Sequence, residues 1–518
     1  MNTAEFLSIA SAICPEKGAI VFEDNRYTFS QLNERVNRLA NALLKLGVQK
    51  GDRVAMLQVN TNQCVEAYFA VARAGAIYVP LNFRARGNEL TYMLNSSEAT
   101  ALFLGERYIE LVNSIKPEVA SIKNLISLDS QQDGMLYYED MIKSASPDEV
   151  FTDIGDDDTT ILMYTAGTTG FPKGVMLPHN SFSIYVLENV TPADPVSEES
   201  NILTVPLYHV AGIQAMMAAI YGGRTLVMER QFEANEWMGL VQAEKVSRAM
   251  MVPTMLKMLI DHPEFRNHDL SSLRVITYGA APMPLEVIKK AVELFPGVSF
   301  INAFGQTETA STITTVPPED HDLSGTEEEK AKKLRRLGSI GKPMADVEMK
   351  VIDEDGNDLP QGEEGEIVAR GPRVMTGYWK DEEKTDKTID KDGWVHTGDI
   401  GYMDEDGYFF LSGRATDMII RAGENISPEE VEGVLLSHPK VEDGAIIGVP
   451  DKEWGEVPMA IVVVKKGVEA TAEEIMEHCR ANLASFKRPR SVVFTDELPR
   501  NPMGKILKKQ LREQYSKS

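Results

Sequence analysis

A Gly- and Thr-rich stretch of the chain combines residue types that bind phosphate. The stretch, "MYTAGTTGFPKGV", follows an apolar run and contains a single lysine, Lys173. Glycine lets the backbone approach a ligand, while Thr hydroxyls and the Lys ammonium donate hydrogen bonds to phosphate oxygens. In a P-loop the lysine is followed by Ser or Thr, whose hydroxyl binds magnesium, but here Gly174 follows it. The stretch therefore predicts a phosphate loop of another type, with a plain Gly-rich turn as the alternative.

A second segment, "NAFGQTETA", offers groups suited to a nucleotide. Phe304 stands at the end of a strand pattern, before a glycine, where its ring can stack on a base. Thr307 and Glu308 supply a hydroxyl and a carboxylate, which suit a phosphate group or magnesium. By itself this segment is weak evidence, since a strand-end turn explains it equally well.

Three later segments each contain one residue of possible function. In "WVHTGDIGYM", Asp399 follows a Thr-Gly turn, where its carboxylate can accept from two vicinal ribose hydroxyls or cap the turn. "LSGRATDMII" contains Arg414 and Asp417, and "LPRNPMGKILKKQLR" contains Lys505 near the end of the sequence. Considered singly, each of these segments is more typical of structure than of catalysis.

Length and composition limit the classes of protein that are possible. A chain of 518 residues exceeds the size of a single hydrophobic core, so two or more domains are expected. The apolar fraction of 43% and the charged fraction of 25% are those of a globular protein. A net charge of −25 argues against general nucleic-acid binding, which needs a basic surface. The cysteines, Cys14, Cys64 and Cys479, are too far apart for a zinc motif and are expected to be buried free thiols.

The first residues, "MNTAEFLSIASAICPEKG", predict an amphipathic helix and not a signal peptide. They lack a basic segment, and Glu5 interrupts the apolar run early. Nowhere in the sequence is an apolar run long enough to span a bilayer. We therefore expect a cytoplasmic protein.

The order of apolar patterns predicts how these segments are positioned. Short β-branched runs alternate with helical patterns over the first three hundred residues, and a capping box at Thr28–Gln31 opens one of the helices. This alternation is typical of layered α/β architecture with largely parallel sheets. After about residue 318 a polar stretch, expected to be a solvated loop or surface helix, precedes Asp-Gly pairs that predict an antiparallel or barrel-like subdomain. From about Arg414 a further α+β unit begins.

In this order, the five segments resemble the motifs of the adenylate-forming superfamily: acyl- and aryl-CoA synthetases, peptide-synthetase adenylation domains and firefly-type luciferases. The resemblance covers nearly the whole chain. It implies an α/β fold in which residues 1–413 form a large N-terminal domain of stacked α/β subdomains plus a β-barrel-like subdomain. Residues 414–518 would form a small, mobile α+β C-terminal domain. In such enzymes a carboxylate and ATP give an acyl-adenylate and pyrophosphate, and a thiol then accepts the acyl group.

The resemblance also implies the roles of individual residues. Phe304 and Gly279–Ala281 would enclose adenine, Thr307 would contact the α-phosphate, and Asp399 and Arg414 would bind the ribose. The residues implied to bind ATP or AMP are Thr165, Gly167, Thr168, Thr169, Gly170, Lys173, Gly279, Ala280, Ala281, Asn302, Ala303, Phe304, Gly305, Thr307, Asp399 and Arg414. Glu308 and Thr168 would hold Mg²⁺, and Ala166 replaces a serine that is usual in the family.

The catalytic cation implied by the resemblance is Lys505, which would bridge the α-phosphate and the attacking carboxylate. Thr416, two residues after Arg414, occupies the hinge position, where many relatives have Asp or Lys. His209 of "PLYHVAG" would act as a gate beside the carboxylate, with a core histidine as the alternative. The residues expected to line the acyl pocket are His209, Val210, Gln214, Met217 and Pro253, although the methionine is equally consistent with plain core.

Coenzyme A is the expected thiol acceptor, since the remaining sequence does not contain the phosphopantetheine serine of a carrier domain. The residues expected to bind CoA are Arg84, Gly423, Lys487, Arg488 and Arg490, with solvated surface charge as the alternative for the basic ones. The expected acid is a medium-chain, alicyclic or aromatic monocarboxylate, and the expected partners are small molecules only. The oligomeric state is expected to be a monomer or homodimer.

Other functions remain open from the sequence. Within the superfamily, the chain could load a separate carrier protein or stop at the acyl-adenylate. A P-loop kinase or ATPase is disfavoured by Gly174 and would release ADP instead of AMP. A non-catalytic nucleotide-binding regulator is disfavoured because both Glu308 and Lys505 are retained.

Overall fold

The computed structural model describes residues 1–165, 172–414, 417–421, 424–451, 454–500 and 506–515. The first part of the chain alternates strands and helices, as expected. Its elements are α1 (Glu5–Ile13), β1 (Gly18–Phe22), β2 (Asn25–Thr28), α2 (Phe29–Lys45), β3 (Arg53–Leu57), α3 (Asn62–Arg73), β4 (Ile77–Pro80), α4 (Gly87–Ser97), β5 (Ala101–Leu104), α5 (Ile109–Ile115), β6 (Asn124–Ser127), β7 (Leu136–Tyr137), α6 (Tyr138–Ser144), β8 (Thr159–Thr165) and β9 (Lys173–Pro178).

The alternation continues over the next part of the chain. Its elements are α7 (His179–Asn189), β10 (Ser200–Leu203), α8 (Val210–Tyr221), β11 (Thr225–Met228), α9 (Ala234–Glu244), β12 (Arg248–Met251), α10 (Pro253–Ile260), β13 (Val275–Gly279), α11 (Leu285–Leu294), β14 (Ser299–Gln306), β15 (Ser311–Val316), α12 (Pro318–His321), α13 (Glu327–Leu337) and β16 (Lys342–Pro343).

The remaining strands are mostly antiparallel. The remaining elements are β17 (Glu348–Ile352), β18 (Gly365–Arg370), β19 (Gly377–Tyr378), α14 (Glu382–Thr388), β20 (Val395–Met403), β21 (Phe409–Arg414), β22 (Ile419–Arg421), β23 (Glu424–Ile426), α15 (Pro428–Leu436), β24 (Val441–Asp451), β25 (Gly455–Val464), α16 (Ala472–Asn482), β26 (Ser491–Phe494) and α17 (Lys508–Tyr515). Short 3₁₀ turns occur at Glu106–Tyr108, Lys116–Glu118, Phe265–Asn267, Thr307–Thr309 and Ser485–Lys487.

Helix α2 illustrates how local sequence sets an element. The Thr28 hydroxyl accepts a hydrogen bond from the Gln31 amide, and the Gln31 side chain accepts from the Thr28 amide, which confirms the predicted capping box. Apolar side chains spaced three and four residues apart, at Leu32, Val36 and Leu39, are fully buried. The first helix, α1, is also confirmed, since Phe6 and its apolar neighbours are buried.

Two large sheets, each largely parallel, form the N-terminal part of the structure. One has the strand order β16-β15-β14-β13-β12-β10-β11-β1-β2, and the other has the order β19-β9-β8-β4-β3-β5-β6-β7. Helices cover their faces and enclose the largest hydrophobic clusters. The expected α/β class with largely parallel sheets is therefore confirmed.

A four-stranded antiparallel sheet, β17-β18-β20-β21, follows, and its outer strands are not paired with each other among the described residues. Turns at the Asp-Gly pairs connect neighbouring strands as predicted, for example between β20 and β21. The polar stretch before this sheet contains the mostly exposed helix α13, as expected. Asp320 and His321, in α12 of the same stretch, depart from that expectation because they are buried. The Tyr278 hydroxyl lies 2.9 Å from the His321 imidazole, and the Tyr408 hydroxyl donates to the Asp320 carboxylate at 2.5 Å.

A smaller α+β unit follows, as the sequence predicts. Strands β22 to β26 form one sheet, in which the long strand β25 lies between β22 and β24 and also pairs with β26 in parallel. Helices α15 and α16 pack on it around a separate hydrophobic cluster. The boundary at residue 414 and the mobility of this unit remain predictions.

The described residues also answer two expectations drawn from composition. Cys14, Cys64 and Cys479 are buried free thiols, as expected. No helix in the described part of the chain is long and apolar enough to cross a membrane.

Candidate active site

The predicted phosphate loop is the connection of a β-hairpin. Strands β8 and β9 are antiparallel, and Thr165 pairs directly with Lys173 across them. The hairpin therefore fixes both ends of the loop. The loop residues predicted to bind phosphate, Gly167, Thr168, Thr169 and Gly170, lie outside the described residues, as does Ala166.

Lys173 and Glu308 are brought together by a residue that the sequence did not single out, Tyr378. The Tyr378 hydroxyl donates to Glu308 Oε1 at 2.8 Å, and the Lys173 ammonium lies 5.2 Å from the centre of the Tyr378 ring. Burial, followed by the nearby Lys384, lowers the pKa of Lys173. Burial and the adjacent carboxylate of Glu308 raise the pKa of Tyr378, so its hydroxyl keeps its proton. The arrangement holds one carboxylate and one ammonium beside the phosphate loop.

Two glycines of the site are required by close backbone contacts. A Cβ on Gly305 would lie 1.5 Å from the carbonyl oxygen of Ser311, because the chain turns back after Thr307–Thr309 through residues with positive φ, Ala310 and Ser311. A Cβ on Gly279 would lie 2.0 Å from the carbonyl oxygen of Ala303 on the next strand. The lack of a side chain therefore lets β15 approach β14 at Gly305 and lets β14 approach β13 at Gly279.

The remaining adenine-site candidates lie at the same carboxyl ends of β13 and β14. Phe304 is half-buried, Ala281 is half-buried and Ala280 is exposed with φ of 66°. Asn302 donates to the Ser339 carbonyl at 3.2 Å, and Thr307 is buried. Ligands of open α/β sheets bind outside the carboxyl ends of the strands, and the motif residues occupy such an edge.

Asp399 and Arg414 face each other across the β20–β21 hairpin. Arg414 Nε donates to Asp399 Oδ1 at 2.6 Å, and Arg414 Nη1 donates to the Thr397 carbonyl at 3.2 Å. The Asp399 side chain is 4% exposed, and its backbone amide donates to the Thr397 hydroxyl at 3.0 Å. The structure therefore brings together the two residues predicted to bind ribose and fixes the carboxylate.

His209 caps the N-terminus of α8. Its Nδ1 accepts from the backbone amide of Ala211 at 3.3 Å, so the imidazole is held by the helix that it begins. The residue is half-buried, and burial lowers the pKa of His209 to about 4. The side chain is therefore neutral near pH 7.

The other acyl-pocket candidates lie on α8 and α10. Val210 and Met217 are buried in the core cluster that packs on α8, which is the alternative that the sequence left open for the methionine. Pro253 is buried at the first position of α10. Gln214 is buried between α8 and β15, where its Oε1 accepts from the Thr312 hydroxyl at 3.0 Å.

One face of the nine-stranded sheet stays partly accessible at β12, β13 and β14. Met250, Thr277 and Ile301 form one row across β12, β13 and β14 and are half-exposed, although these strands lie inside the sheet. The alternate residues on the opposite face are buried under α9, α10 and α11. On α8, which packs on β10, β11 and β15 of the same sheet, Ala215 and Ala218 are half-exposed in a helix that is otherwise buried. We infer an accessible space between these two sets of half-exposed residues and call it the α8 groove.

The α8 groove begins at the candidate adenine site. Two residues further toward the carboxyl ends of the strands, Gly279 and Ala303 form another row on the same face. At the opposite end, the Arg248 guanidinium forms an ion pair with the Glu199 carboxylate at 3.0 Å. The sequence shows the period-two pattern of these strands, but it does not show which face stays accessible.

The basic residues expected to bind CoA have mixed environments. Lys487 pairs with Glu430 at 2.6 Å, and Arg488 Nε donates to the Leu483 carbonyl at 2.9 Å. Arg84 is exposed, with its guanidinium 5.4 Å from the centre of the Phe83 ring, and Arg490 is also exposed. Arg84 and Arg490 are therefore the members that present an accessible guanidinium.

The segment that leads to Lys505 is anchored on its C-terminal side. Lys508 at the start of α17 lies 3.1 Å from Glu429 and 3.0 Å from Glu432, both on α15, and burial raises the pKa of Glu432 to about 7. Arg512 pairs with Asp417 at 2.8 Å. Lys505 itself, the hinge residue Thr416 and the CoA candidate Gly423 lie outside the described residues.

The donors available at the site suit Mg²⁺. Glu308 is a half-buried carboxylate fixed by Tyr378, and carboxylate oxygens are the ligands that Mg²⁺ prefers. In the described part of the chain no cluster of three or more His, Cys, Asp or Glu side chains could hold a metal ion. One carboxylate is consistent with an ion whose other ligands are water and substrate phosphates.

Comparisons with known proteins agree with this geometry. Residues 9–379 match the AMP-binding enzyme family, and residues 430–505 match the AMP-binding enzyme C-terminal domain. A feruloyl-CoA synthase from Amycolatopsis is 36% identical over 97% of this chain and 96% of its own length. An indoleacetate–CoA ligase from Aromatoleum aromaticum is 33% identical over 99% of this chain and 98% of its own length.

Solved structures extend the likeness to the whole fold. An anthranilate CoA ligase in complex with anthranoyl-AMP superposes with a TM-score of 0.89 at 28% identity, over 99% of this chain and 97% of that one. The matching motifs, the two-part α/β fold and the full-length similarity point to one conclusion. The chain belongs to the AMP-binding enzyme family, within its acyl-CoA synthetase branch of AMP-forming acid–thiol ligases.

Proposed function

We propose that this acyl- or aryl-CoA ligase acts on an aromatic, alicyclic or medium-chain monocarboxylate. The observation that carries the proposal is the α8 groove, which is lined mainly by apolar side chains and begins at the candidate adenine site. From the Gly279 row to the Val275 row it extends roughly 13 Å, at about 3.3 Å per strand residue. A ring or a medium chain fits such a slot, whereas a second carboxylate or an ammonium would lose its hydration there.

The relatives support this size of acid. Those reported above are named for feruloyl, indoleacetate and anthranilate groups, all of which contain a ring. At the far end of the α8 groove, Glu199 engages both Arg248 and Arg224. The guanidinium groups at this end are therefore already engaged by a carboxylate of the chain itself.

The first step forms the acyl-adenylate. A carboxylate oxygen attacks the α-phosphorus of ATP, a P–O bond forms, and the bond to pyrophosphate breaks. Lys173 and the phosphate loop would hold the departing pyrophosphate, while Asp399 and Arg414 hold the ribose. Mg²⁺, when bound at Glu308, would neutralise phosphate charge. His209 is neutral near pH 7, so it can lie beside the carboxylate without forming an ion pair.

Lys505 would supply the decisive charge in that step. Negative charge accumulates around the phosphorus as the carboxylate attacks, and a fixed cation there stabilises the transition state more than the ground state. In the second step the CoA sulfur attacks the acyl carbon, a thioester forms, and AMP leaves. Rotation about Thr416 would move Lys505 away and bring the CoA site in, and exposed Arg84 and Arg490 suit the phosphates of CoA.

Measurement of the two half-reactions tests the function. Pyrophosphate release with hydroxylamine trapping reports adenylation, and AMP release from a supplied acyl-adenylate plus CoA reports thioester formation. Lys505→Ala should raise the adenylation barrier by about 3–4 kcal/mol, which slows adenylation roughly 10²–10³-fold, and should leave the second half-reaction intact. Thr416→Pro should do the reverse, because proline fixes φ at the hinge. Equal losses in both half-reactions would contradict these roles.

The alternative within the family differs only in the acceptor. A carrier-loading ligase or an acyl-AMP ligase would form the hydroxamate but would not release AMP with free CoA. A panel of aromatic, alicyclic and linear acids, assayed with CoA present, distinguishes these functions and ranks the acids. Highest turnover with a dicarboxylate or an amino acid would overturn the proposed substrate class.

A further inference from the structure

The amide of Gln214 has one hydrogen-bonding atom that no described residue engages. The side chain is 5% exposed, and the Thr312 hydroxyl donates to its Oε1 at 3.0 Å. Its Nε2 is buried and finds no partner among the described residues. Buried polar atoms are almost always paired, so an unpaired amide nitrogen beside a candidate substrate site indicates a bond that is completed by a ligand.

Gln214 is held in place by a rigid partner. The carbonyl of Thr312 accepts from Arg373 Nη1 at 2.5 Å, and this fully buried arginine is itself paired with Asp346. Thr312 is also the register partner of Gly305 in the adenylate motif. The Gln214 amide is therefore held by a residue that pairs, across the β14–β15 ladder, with a residue expected to bind the adenylate.

Gln214 also lies on the side of α8 that faces the α8 groove. In a helix, residues three, four and seven apart share one face, so Gln214 lies between Ala211 on one turn and Ala218 on the next. Ala215 and Ala218 are half-exposed in a helix that is otherwise buried, and they mark the accessible side. Small residues on this face leave room for an acyl group, and the Gln214 amide is the polar side chain among them.

We propose that Gln214 Nε2 donates a hydrogen bond to an acceptor oxygen on the acyl part of the acid, so that the enzyme prefers oxygen-substituted acids over hydrocarbon acids of the same shape. The inference rests on the proposed function and narrows its substrate class to acids with an ether, keto or hydroxyl oxygen. An acid of this class pairs the Nε2 hydrogen, and Thr312 keeps the amide oriented. A hydrocarbon isostere leaves the nitrogen unpaired.

Matched acid pairs test the preference. Methoxycinnamates and ethylcinnamates, substituted at the para or meta position, have similar shape, but only the methoxy group accepts a hydrogen bond. A third pair, a keto acid and the corresponding alkanoate, covers linear chains. For at least one pair we expect wild-type kcat/KM to favour the oxygen-containing acid by about 10-fold or more, because the hydrogen bond is made in a dry site.

The variants separate recognition from stability. Gln214→Leu should bring the ratio of each pair close to one by losing activity on the oxygen-containing acid. Its effect on the unfolding midpoint should be small, because loss of the hydrogen bond from Thr312 is offset by removal of an unpaired buried nitrogen. Gln214→Met provides a second apolar side chain if the leucine variant folds poorly. Thr312→Val should lower the preference by freeing the amide to rotate, with most of the change in KM. The exposed Gln49→Leu is the matched control and should leave every ratio unchanged.

Each other outcome overturns a defined statement. Equal ratios in wild type and Gln214→Leu at every position would refute the inference while leaving CoA-ligase activity intact. A preference for hydroxyl but not for methoxy substituents would refute the donor role of Nε2. Absence of pyrophosphate release with every acid would refute the proposed function itself, and the inference would fall with it.

Discussion

The hydroxyl of Tyr378 should control adenylation although it need not touch the substrate. Tyr378→Phe removes the 2.8 Å hydrogen bond to Glu308 and leaves the aromatic ring beneath Lys173 in place. Glu308 would then lose the donor that orients the carboxylate expected to hold Mg²⁺. The substitution therefore tests orientation separately from the cation–ring contact.

The magnitude follows from the type of bond. A hydrogen bond to a charged acceptor contributes roughly 1.5–3 kcal/mol, and Tyr378 is buried, so a loss of about 2 kcal/mol is reasonable. At 1.36 kcal/mol per factor of ten, this is about a 30-fold fall in kcat/KM for adenylation. The concentration of Mg²⁺ needed for half-maximal rate should rise as well, because the carboxylate is less fixed.

The assay compares both half-reactions in four proteins. Wild type, Tyr378→Phe, Glu308→Gln and the double variant form a cycle, in which the tyrosine substitution should have little further effect once Glu308 is neutral. Tyr137→Phe is the matched control, since Tyr137 lies in β7 at the opposite edge of the same sheet. Unchanged adenylation in Tyr378→Phe, or an equal fall in thioester formation, would refute the reasoning.

Three further predictions concern the supports of the site. Gly305→Ala should slow adenylation at least 100-fold and should also lower the unfolding midpoint, because the added Cβ would overlap a backbone oxygen of β15. Gly239→Ala, where a Cβ meets open space, should be tolerated. His179 is buried, and burial lowers its pKa to about 4, below the unfolded value of about 6.5. The free energy of unfolding should therefore be highest above pH 6.5 and should fall by about 3 kcal/mol as the pH falls toward 4. His179→Gln should flatten this pH dependence in urea unfolding. Lys508→Met leaves two half-buried glutamates of α15 without their cation and should slow adenylation more than thioester formation, unlike the exposed Lys509→Met.

Each of these predictions has a result that contradicts it. Normal folding and rates in Gly305→Ala would mean that the β14–β15 turn tolerates a side chain. An unchanged pH dependence in His179→Gln would assign the acid sensitivity to other groups. Equal effects of Lys508→Met on both half-reactions would show that the anchoring of α17 does not specifically support Lys505 in adenylation.

Local patterns predicted the elements that depend on neighbouring residues. The capping box at Thr28 set the start of α2, and the Asp-Gly pairs set the turns of the antiparallel sheet. The order of motifs along the chain also predicted that Glu308 and Asp399 belong to one type of site. These features are local, or depend only on sequence order, so no knowledge of distant contacts was required.

Tyr378 could not be found in the same way. It reaches Glu308, 70 residues away, only because β19 adds to the edge of β9. Its short strand has no local signal for that pairing. The α8 groove has the same origin: the period-two pattern identifies two faces, but the accessible face depends on where α8 crosses the sheet.

The pairing of Asp399 with Arg414 shows how small the unpredicted part can be. Close to the Asp-Gly turn of the β20–β21 hairpin, Gly401 pairs with Leu411, and continuing that register would place Gly413 opposite Asp399. The register shifts by one residue between Ile400 and Gly401, so that Arg414 faces Asp399 instead. A β-bulge of this kind moves side chains between positions and commonly occurs next to active sites. The turn was therefore predictable from the sequence, but the pairing of Asp399 with Arg414 depends on one extra residue in one strand.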